Sequence, residues 1–253
     1  MHTHVLPGVD HGAVDWDMSL QMLVKSAECG VEAVIATPHY LPWKEGVTAE
    51  VICELCEEAK ERLQKEYGIS MDIYPGNEIY YSSETVELLK TGKVLTLAGT
   101  QYVLIEFQQE VPYQMLCKAA RDLRFHGYIP IFAHIERYFC VDNIEKLIEL
   151  KEMGALLQVN VGAFQGGLFD AKSRKVKKWL KKGIIDFVAS DMHDMKERPP
   201  MSNDRLEWFQ KKLELQYQDK LLYGNAQDIL TSMKVSERKR EWKITKHLRK
   251  KLI

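Results

Sequence analysis

The run Tyr102-Val103-Leu104-Ile105-Glu106-Phe107 decides the fold. Its first four residues are aromatic, branched or aliphatic with no alternation of polarity. Such a run predicts a strand buried on both faces, as in a parallel sheet. It then stops on Glu106, a carboxylate that is costly to bury without a compensating charge. The same arrangement recurs along the chain. Ala33-Val34-Ile35-Ala36 leads to His39, and Met71 to Tyr74 leads to Glu78. Ile129 to Ala133 leads to His134, and Ile184 to Ala189 leads to Asp191 and His193. Ala155 to Val159 ends in Asn160, which is followed by a glycine-rich loop with no ligand-type residue.

Helical patterns separate these runs. The spacing predicts helices from Met18 to Glu28 behind an Asp17 cap, from Thr48 to Tyr67 before Gly68, and from Ser82 or Ser83 to Leu89. Others follow from Tyr113 to Phe125, Asn143 to Met153, Ser173 to Lys182 and Asn203 to Lys220, with a shorter helix after Asn225. Strands alternating with helices imply parallel strands joined by crossover helices. No G-x-G-x-x-G or P-loop is present, which disfavours a nucleotide-binding doubly wound sheet. A barrel remains, and barrels carry their chemistry at the C-terminal ends of their strands. Here those ends carry His39, Glu78, Glu106, His134, Asp191 and His193.

At the head of the chain, Met1-His2-Thr3-His4 sets two imidazoles one residue apart. In extended backbone they share a face. Alone the pair is equally a solvated end or a tag remnant. Added to the strand ends, it makes His2 and His4 candidate metal ligands, and histidines with carboxylates suit a multi-metal hydrolytic site. Arg137 and Arg198 each lie a few residues past a ligand-bearing strand end. Surface salt bridging is their simplest role, but beside a metal cluster two guanidinium groups suggest a phosphate.

Composition narrows the class. The chain has 253 residues, a length routine for one α/β barrel, and a net charge of -1 that offers no general attraction to nucleic acid or membrane. No secretory signal or long apolar run appears, which points to a cytoplasmic chain that does not span a membrane. Five cysteines (Cys29, Cys53, Cys56, Cys117 and Cys140) form no framework spacing and read as thiols. Cys56 to Arg62 matches C-x5-R, the signature of cysteine-dependent tyrosine phosphatases. Its interior is acidic, free of glycine and within a predicted helix, so it cannot cradle a phosphate. Tyr40, Trp43, Tyr80 and Tyr81 follow ligand-bearing strand ends and suit either a substrate pocket or core packing. Residues 1–233 form the expected domain. Residues 234–253 are a basic tail, either solvated or in contact with anionic lipid or an acidic partner.

The blocks H-T-H-V-L-P-G-V-D-H-G, A-T-P-H, G-N-E-I-Y-Y, Y-V-L-I-E-F, I-F-A-H-I-E-R-Y and V-A-S-D-M-H-D-x3-R-P-P together resemble the PHP (polymerase and histidinol phosphatase) superfamily. More narrowly they are similar to the bacterial manganese-dependent protein-tyrosine phosphatases of capsule and exopolysaccharide regulation. The resemblance implies a distorted (β/α)7 TIM-like barrel with a trinuclear Mn2+ site, Fe or Zn being alternative ions. It implies a first ion on His2, His4, Glu78 and Asp191, and a second on Glu78, Glu106 and His134. A third would lie on His39, His193 and a residue of the Asp10-His11-Gly12 turn, with Arg137 and Arg198 on the phosphoryl oxygens. The implied substrate is a phosphotyrosine protein, a membrane-associated bacterial tyrosine kinase. A small-molecule phosphatase, such as one for histidinol phosphate, is the alternative enzyme, and a regulatory binding module without turnover is the alternative outside enzymes.

Two departures stand out. The narrower family has Asp-Asp-Gly where this chain has Asp10-His11-Gly12, so His11 takes the ligand position and the site loses one negative charge. Only Met1 precedes His2, so the first barrel strand is largely missing. The expectation is a start assigned a few residues late and, for the sequence as written, a loosely held His2 and His4.

Overall fold

A computed structural model describes residues 1–167, 169–202 and 204–232. The elements alternate as the sequence implies. The strands are β1 (Ala33–Ala36), β2 (His39–Tyr40), β3 (Asp72–Pro75), β4 (Glu78–Tyr80), β5 (Tyr102–Glu106), β6 (Ile129–Phe132), β7 (Leu156–Asn160) and β8 (Phe187–Ala189). The principal helices are α1 (Trp16–Glu28), α2 (Ala49–Tyr67), α3 (Thr85–Thr91), α4 (Tyr113–Phe125), α5 (Ile144–Glu152) and α6 (Ala171–Lys181).

All strand pairs are parallel. β1 pairs with β3, and the remaining strands run in the order β2-β4-β5-β6-β7-β8. β1 and β2 are one strand interrupted at Pro38, which has no N–H to give the ladder. Asn77 bridges the interruption: its side-chain amide donates to the Pro38 carbonyl at 3.0 Å, and its Oδ1 accepts from Leu95 N at 2.9 Å.

The ring closes through the first four residues. Thr3 forms a parallel bridge with Met192, flanked by bonds from Asp191 N to His2 O at 3.2 Å and from His4 N to Met192 O at 3.0 Å. On the other side Thr37 N donates to Thr3 O at 2.8 Å, and the Thr3 hydroxyl donates to Ile35 O at 2.9 Å. Through this one bridging residue β1 is linked to the chain beyond β8. The expected looseness of His2 and His4 is not found: both are fully buried. Backbone bonds on both flanks and the Thr3 side chain hold this segment in place.

Alternation along the strands divides the barrel interior into two layers. The lower layer is apolar and contains Ile35, Leu104, Ile131, Ala133 and Phe187, with Leu97 and Ala98 packed beneath. The upper layer is polar and holds His2, His4, Glu78, Gln158 and Asp191, all buried. Outward-facing Val103, Ile105, Leu157 and Val159 pack with helix residues such as Leu116, Leu147 and Trp179 in the largest apolar cluster.

Local signals hold closely at most helix ends. α2 is capped by the Thr48 side chain and stopped by Gly68 at φ 68°, and α5 is capped by Asn143. α1 is capped by Asp15 rather than Asp17, which falls in the first turn, where its charge favours the helix dipole. α3 begins at Thr85, whose hydroxyl accepts from Ser82 N at 2.9 Å, rather than on a serine cap. The expected helix from Asn203 to Lys220 is broken into a 3-10 turn (Asp204–Leu206), α7 (Glu207–Lys212) and α8 (Leu215–Asp219). Leu213 and Glu214 are extended, and the Gln218 amide donates to the carbonyls of Leu213 and Gln210 at 2.8 and 3.1 Å, satisfying groups that a break exposes. No helix among the described residues is long and apolar enough to cross a membrane. The basic tail lies outside the described residues.

Because the Thr3 hydroxyl is a buried donor at the closure of the ring, the near-isosteric Thr3→Val should lower unfolding free energy by about 1–3 kcal/mol in urea titration.

Candidate metal centre

The site is built at the C-terminal ends of the strands. Glu78 opens β4, Glu106 closes β5, and His39 begins β2. His134 and Asp191 come two residues after β6 and β8, and both have left-handed backbone, at φ 33° and 52°. Histidine and aspartate tolerate that region better than most side chains, at a cost of about 1–3 kcal/mol each. In both cases the chain turns sharply where a polar side chain meets the barrel interior.

Three overlapping groups bring possible ligand atoms within 4.8 Å of one another: His2, His4, Glu78 and Asp191; His39, Glu78 and Glu106; and His4, His39 and His193. In the first, Glu78 Oε2 lies 3.1 Å from His2 Nε2 and 3.2 Å from His4 Nε2, and the two Nε2 atoms are 3.3 Å apart. Asp191 Oδ1 faces the same two nitrogens at 3.3 and 3.4 Å. In the second, His39 Nδ1 meets Glu106 Oε1 at 2.8 Å and Glu78 Oε2 at 3.2 Å. His134 Nε2 joins this cluster at 2.8 Å from Glu78 Oε1 and 3.8 Å from Glu106 Oε2. Of the expected ligand residues, all but His11 are thus gathered in these overlapping contacts. His11 lies outside the three groups among the described residues. Its exposed ring stacks 4.6 Å from His39 and lies 4.8 Å from His193, at the mouth.

The cluster concentrates buried charge and imidazole lone pairs. Burial opposes ionisation of Glu78 and Asp191, yet the neighbouring histidines hold both carboxyls well below their ordinary range. Burial likewise opposes charge on His4, but hydrogen bonding to Asp10, Asp191 and Glu78 raises its pKa well above the usual value. Burial and the adjacent His4 charge push His193 down to about 3. Its Nδ1 donates to the Asp191 carbonyl at 2.8 Å, so its Nε2 carries a lone pair, and that buried atom has no partner. An unpartnered imidazole nitrogen beside converging carboxylates is the donor chemistry of a histidine and carboxylate metal site.

Arg137 and Arg198 both reach this cluster. Arg137 Nη2 donates to Asp191 Oδ2 at 2.7 Å, and Arg198 Nη1 lies 3.7 Å from the same oxygen. Both guanidinium groups are partly exposed, at 28% and 36%, so solvent reaches them from the mouth. To one side Tyr80, Tyr81, Phe107, Val111, Met115 and Lys118 line a cavity of about 370 Å³. Tyr81 is mostly core, its hydroxyl donating to Asp122, while Trp43 is exposed and packs edge-on against Tyr80 at 4.5 Å.

Three further residues support the cluster. Asp10 accepts from His4 Nδ1 at 2.7 Å, from His39 N at 3.0 Å and from Gly12 N at 2.8 Å, so it orients two candidate ligands without standing among them. Gln158 and Asn160 sit beneath His2 and Asp191. Their one signal is a pair of amides at strand spacing in the otherwise apolar Leu156-Leu157-Gln158-Val159-Asn160. The C-x5-R match has no catalytic form. Cys56 is fully buried, its thiol pushed up to about 12 by burial, and Arg62 pairs with Glu58 at 2.7 Å.

A parallel α/β barrel with a histidine and carboxylate cluster at its C-terminal mouth defines the class, that of the metal-dependent barrel hydrolases. Residues 1–231 match the family model described as capsular polysaccharide synthesis, CpsB/CapC, and the chain belongs to that family. It is 31% identical over 239 residues to the tyrosine-protein phosphatase YwqE of Bacillus subtilis, covering 93% of this chain and 92% of that one. The tyrosine-protein phosphatase CpsB of Streptococcus agalactiae is 29% identical over 236 residues, covering 91% and 97%. Among solved structures, one from a study of YwqE and of CpsB from Streptococcus pneumoniae, described as unique metal-dependent tyrosine phosphatases, superposes with a TM-score of 0.83 at 30% identity. That match covers 91% of this chain and 93% of the other. A phosphotriesterase homology protein from Escherichia coli matches at a TM-score of 0.51 and 13% identity, covering 88% and 95%, a likeness of fold alone.

Gly12 supplies a direct check on the turn. A Cβ there would overlap both the carbonyl oxygen and the Cβ of His4, the latter at 2.5 Å. Gly12→Ala should therefore displace His4, lowering stability by about 1–3 kcal/mol in thermal unfolding.

Proposed function

We propose that this chain hydrolyses phosphotyrosine in proteins, acting in the cytoplasm on a membrane-associated bacterial tyrosine kinase that governs capsular or exopolysaccharide synthesis. The observation that carries the reading is the meeting of Arg137 and Arg198 on Asp191, at the mouth of a buried histidine and carboxylate cluster. A phosphate monoester needs both parts: cations for its anionic oxygens and fixed N–H donors to orient it. The family and its phosphatase relatives support the same chemistry.

The assignment is three Mn2+ ions, with Fe or Zn as alternative occupants. His2, His4, Glu78 and Asp191 would hold the first, Glu78, Glu106 and His134 the second, and His39, His193 and His11 the third. When bound, these ions supply Lewis acidity, making water nucleophilic near neutral pH and drawing charge from the phosphoryl oxygens. Arg137 and Arg198 bind those oxygens and keep the ester in line, and their donors match the charge that spreads over the equatorial oxygens in the transition state. The tyrosyl phenolate is a fairly good leaving group, so the residues at the mouth need not include a strong general acid. The partial exposure of both arginines suits a phosphate carried on a protein surface.

Metal-stripped protein given Mn2+ should release phosphate from a phosphotyrosine peptide in preference to histidinol phosphate, and a chelator should abolish the activity. Replacing all five cysteines should leave turnover of the folded protein largely intact, whereas Arg137→Ala should lower kcat/KM by about 100-fold. Thiol-sensitive turnover that resists chelation would refute the reading.

His11 replaces a carboxylate with a neutral ring, which should lower the attraction for the third ion. Titration of His11→Asp should therefore show a tighter or differently selective third Mn2+ site. Identical affinity and metal preference in the two proteins would dismiss any such role.

A further inference from the structure

β7 is the strand whose end supplies no expected ligand, yet two of its buried side chains face the cluster. Gln158 and Asn160 are two residues apart, so they point to the same side of the strand, into the barrel. Their orientations are fixed by one group that can only donate. The backbone N–H of His134 meets Gln158 Oε1 at 2.8 Å, which identifies that atom as the oxygen. The same oxygen lies 3.0 Å from His2 Nδ1, so this nitrogen must carry a proton. When the ring is neutral, the His2 lone pair is then on Nε2, the atom facing Glu78, His4 and Asp191.

The other end of the Gln158 amide extends the chain of bonds. Its Nε2 donates to Asn160 Oδ1 at 2.8 Å, and Asn160 Nδ2 donates to Asp191 Oδ2 at 2.7 Å. Arg137 occupies the same Asp191 oxygen at 2.7 Å, so Oδ1 is the oxygen left to face His2 and His4. One backbone amide, at candidate ligand His134, thereby sets the tautomer of a second candidate and the carboxylate orientation of a third.

We propose that Gln158 and Asn160 are positioning residues for the first metal ion, fixing His2 in its Nδ1–H form and presenting Oδ1 of Asp191. The proposal rests on the metal assignment above. The need is specific to this chain's geometry. His4 is oriented by the Asp10 carboxylate, and the ring nitrogen of His2 outside the cluster has the Gln158 amide as its hydrogen-bond partner. Groups that orient a ligand in this way typically change metal affinity by about 10–100-fold when removed.

The test is titration of the metal-stripped full chain with Mn2+, following free ion by electron paramagnetic resonance, alongside thermal unfolding of the metal-free proteins. Gln158→Leu removes both the acceptor for His2 and the donor to Asn160, and should weaken the tightest class of sites by about 10–100-fold. Gln158→Glu keeps the shape and the acceptor but replaces the donor to Asn160 Oδ1 with a repelling oxygen, which turns the Asn160 amide away from Asp191, and should weaken the same class by about 10-fold. The glutamate variant decides the matter if the leucine variant does not fold. Affinity within about twofold of the parent in a folded variant, even one that melts at lower temperature, would assign Gln158 to packing alone and overturn the proposal. A parent that binds no Mn2+ would instead remove the metal assignment itself, so the two failures are distinct.

Discussion

Negative charge and imidazole lone pairs packed into a buried barrel mouth form the constraint on which the rest depends. Glu78 and Asp191 are almost completely buried and remain ionised by virtue of their histidine neighbours. Besides the Arg137 guanidinium on Asp191, compensating charge comes from a proton on His4, whose affinity for it is raised accordingly. Buried carboxylates are tolerated only when paired, hydrogen-bonded or bound to metal. The barrel provides the first two in part, through Arg137, Asn160 and the histidines, and leaves unpartnered nitrogens such as His193 Nε2 for the third.

The fold separates this demand from the source of stability. The lower barrel layer and the helix-facing sides of the strands are apolar and carry the burial. The polar layer above is held by directed bonds: the Asp10 clamp on His4 and His39, the Thr3 closure, and the amides of β7. Left-handed backbone at His134 and Asp191 adds cost where the strands end, a pattern expected where ligand direction outweighs local comfort. Two arginines converge on a carboxylate that also faces the nitrogens of His2 and His4, so the proposed phosphate and ion sites share a single residue.

Much of this is legible in the sequence. Glu106 after an apolar strand, and the recurrence of His, Asp or Glu after other strands, announce both the parallel strands and the end at which these side chains gather. Tyr113 to Phe125 is bounded correctly because an apolar stripe and Gly127 agree. The break at Leu213 is not legible, since it depends on Gln218 reaching back to carbonyls that a continuous helix would use internally. The firmness of His2 and His4 is hidden for a related reason: strand length is local, but the bonds to Thr37, Asp191 and Met192 are not. Asp10, Gln158 and Asn160 are neutral-looking or turn-forming in sequence, and their importance appears only when their partners from distant strands are in place.

The central claim is that the cluster holds metal at the residues named. Anomalous diffraction at the manganese edge, from crystals of the chain grown with Mn2+, tests it most directly. Strong peaks are expected at the barrel mouth, one among His2, His4, Glu78 and Asp191 and others beside Glu106, His134, His39 and His193. Ordered side chains with no anomalous density among them at saturating Mn2+, or ions bound only elsewhere on the surface, would contradict it.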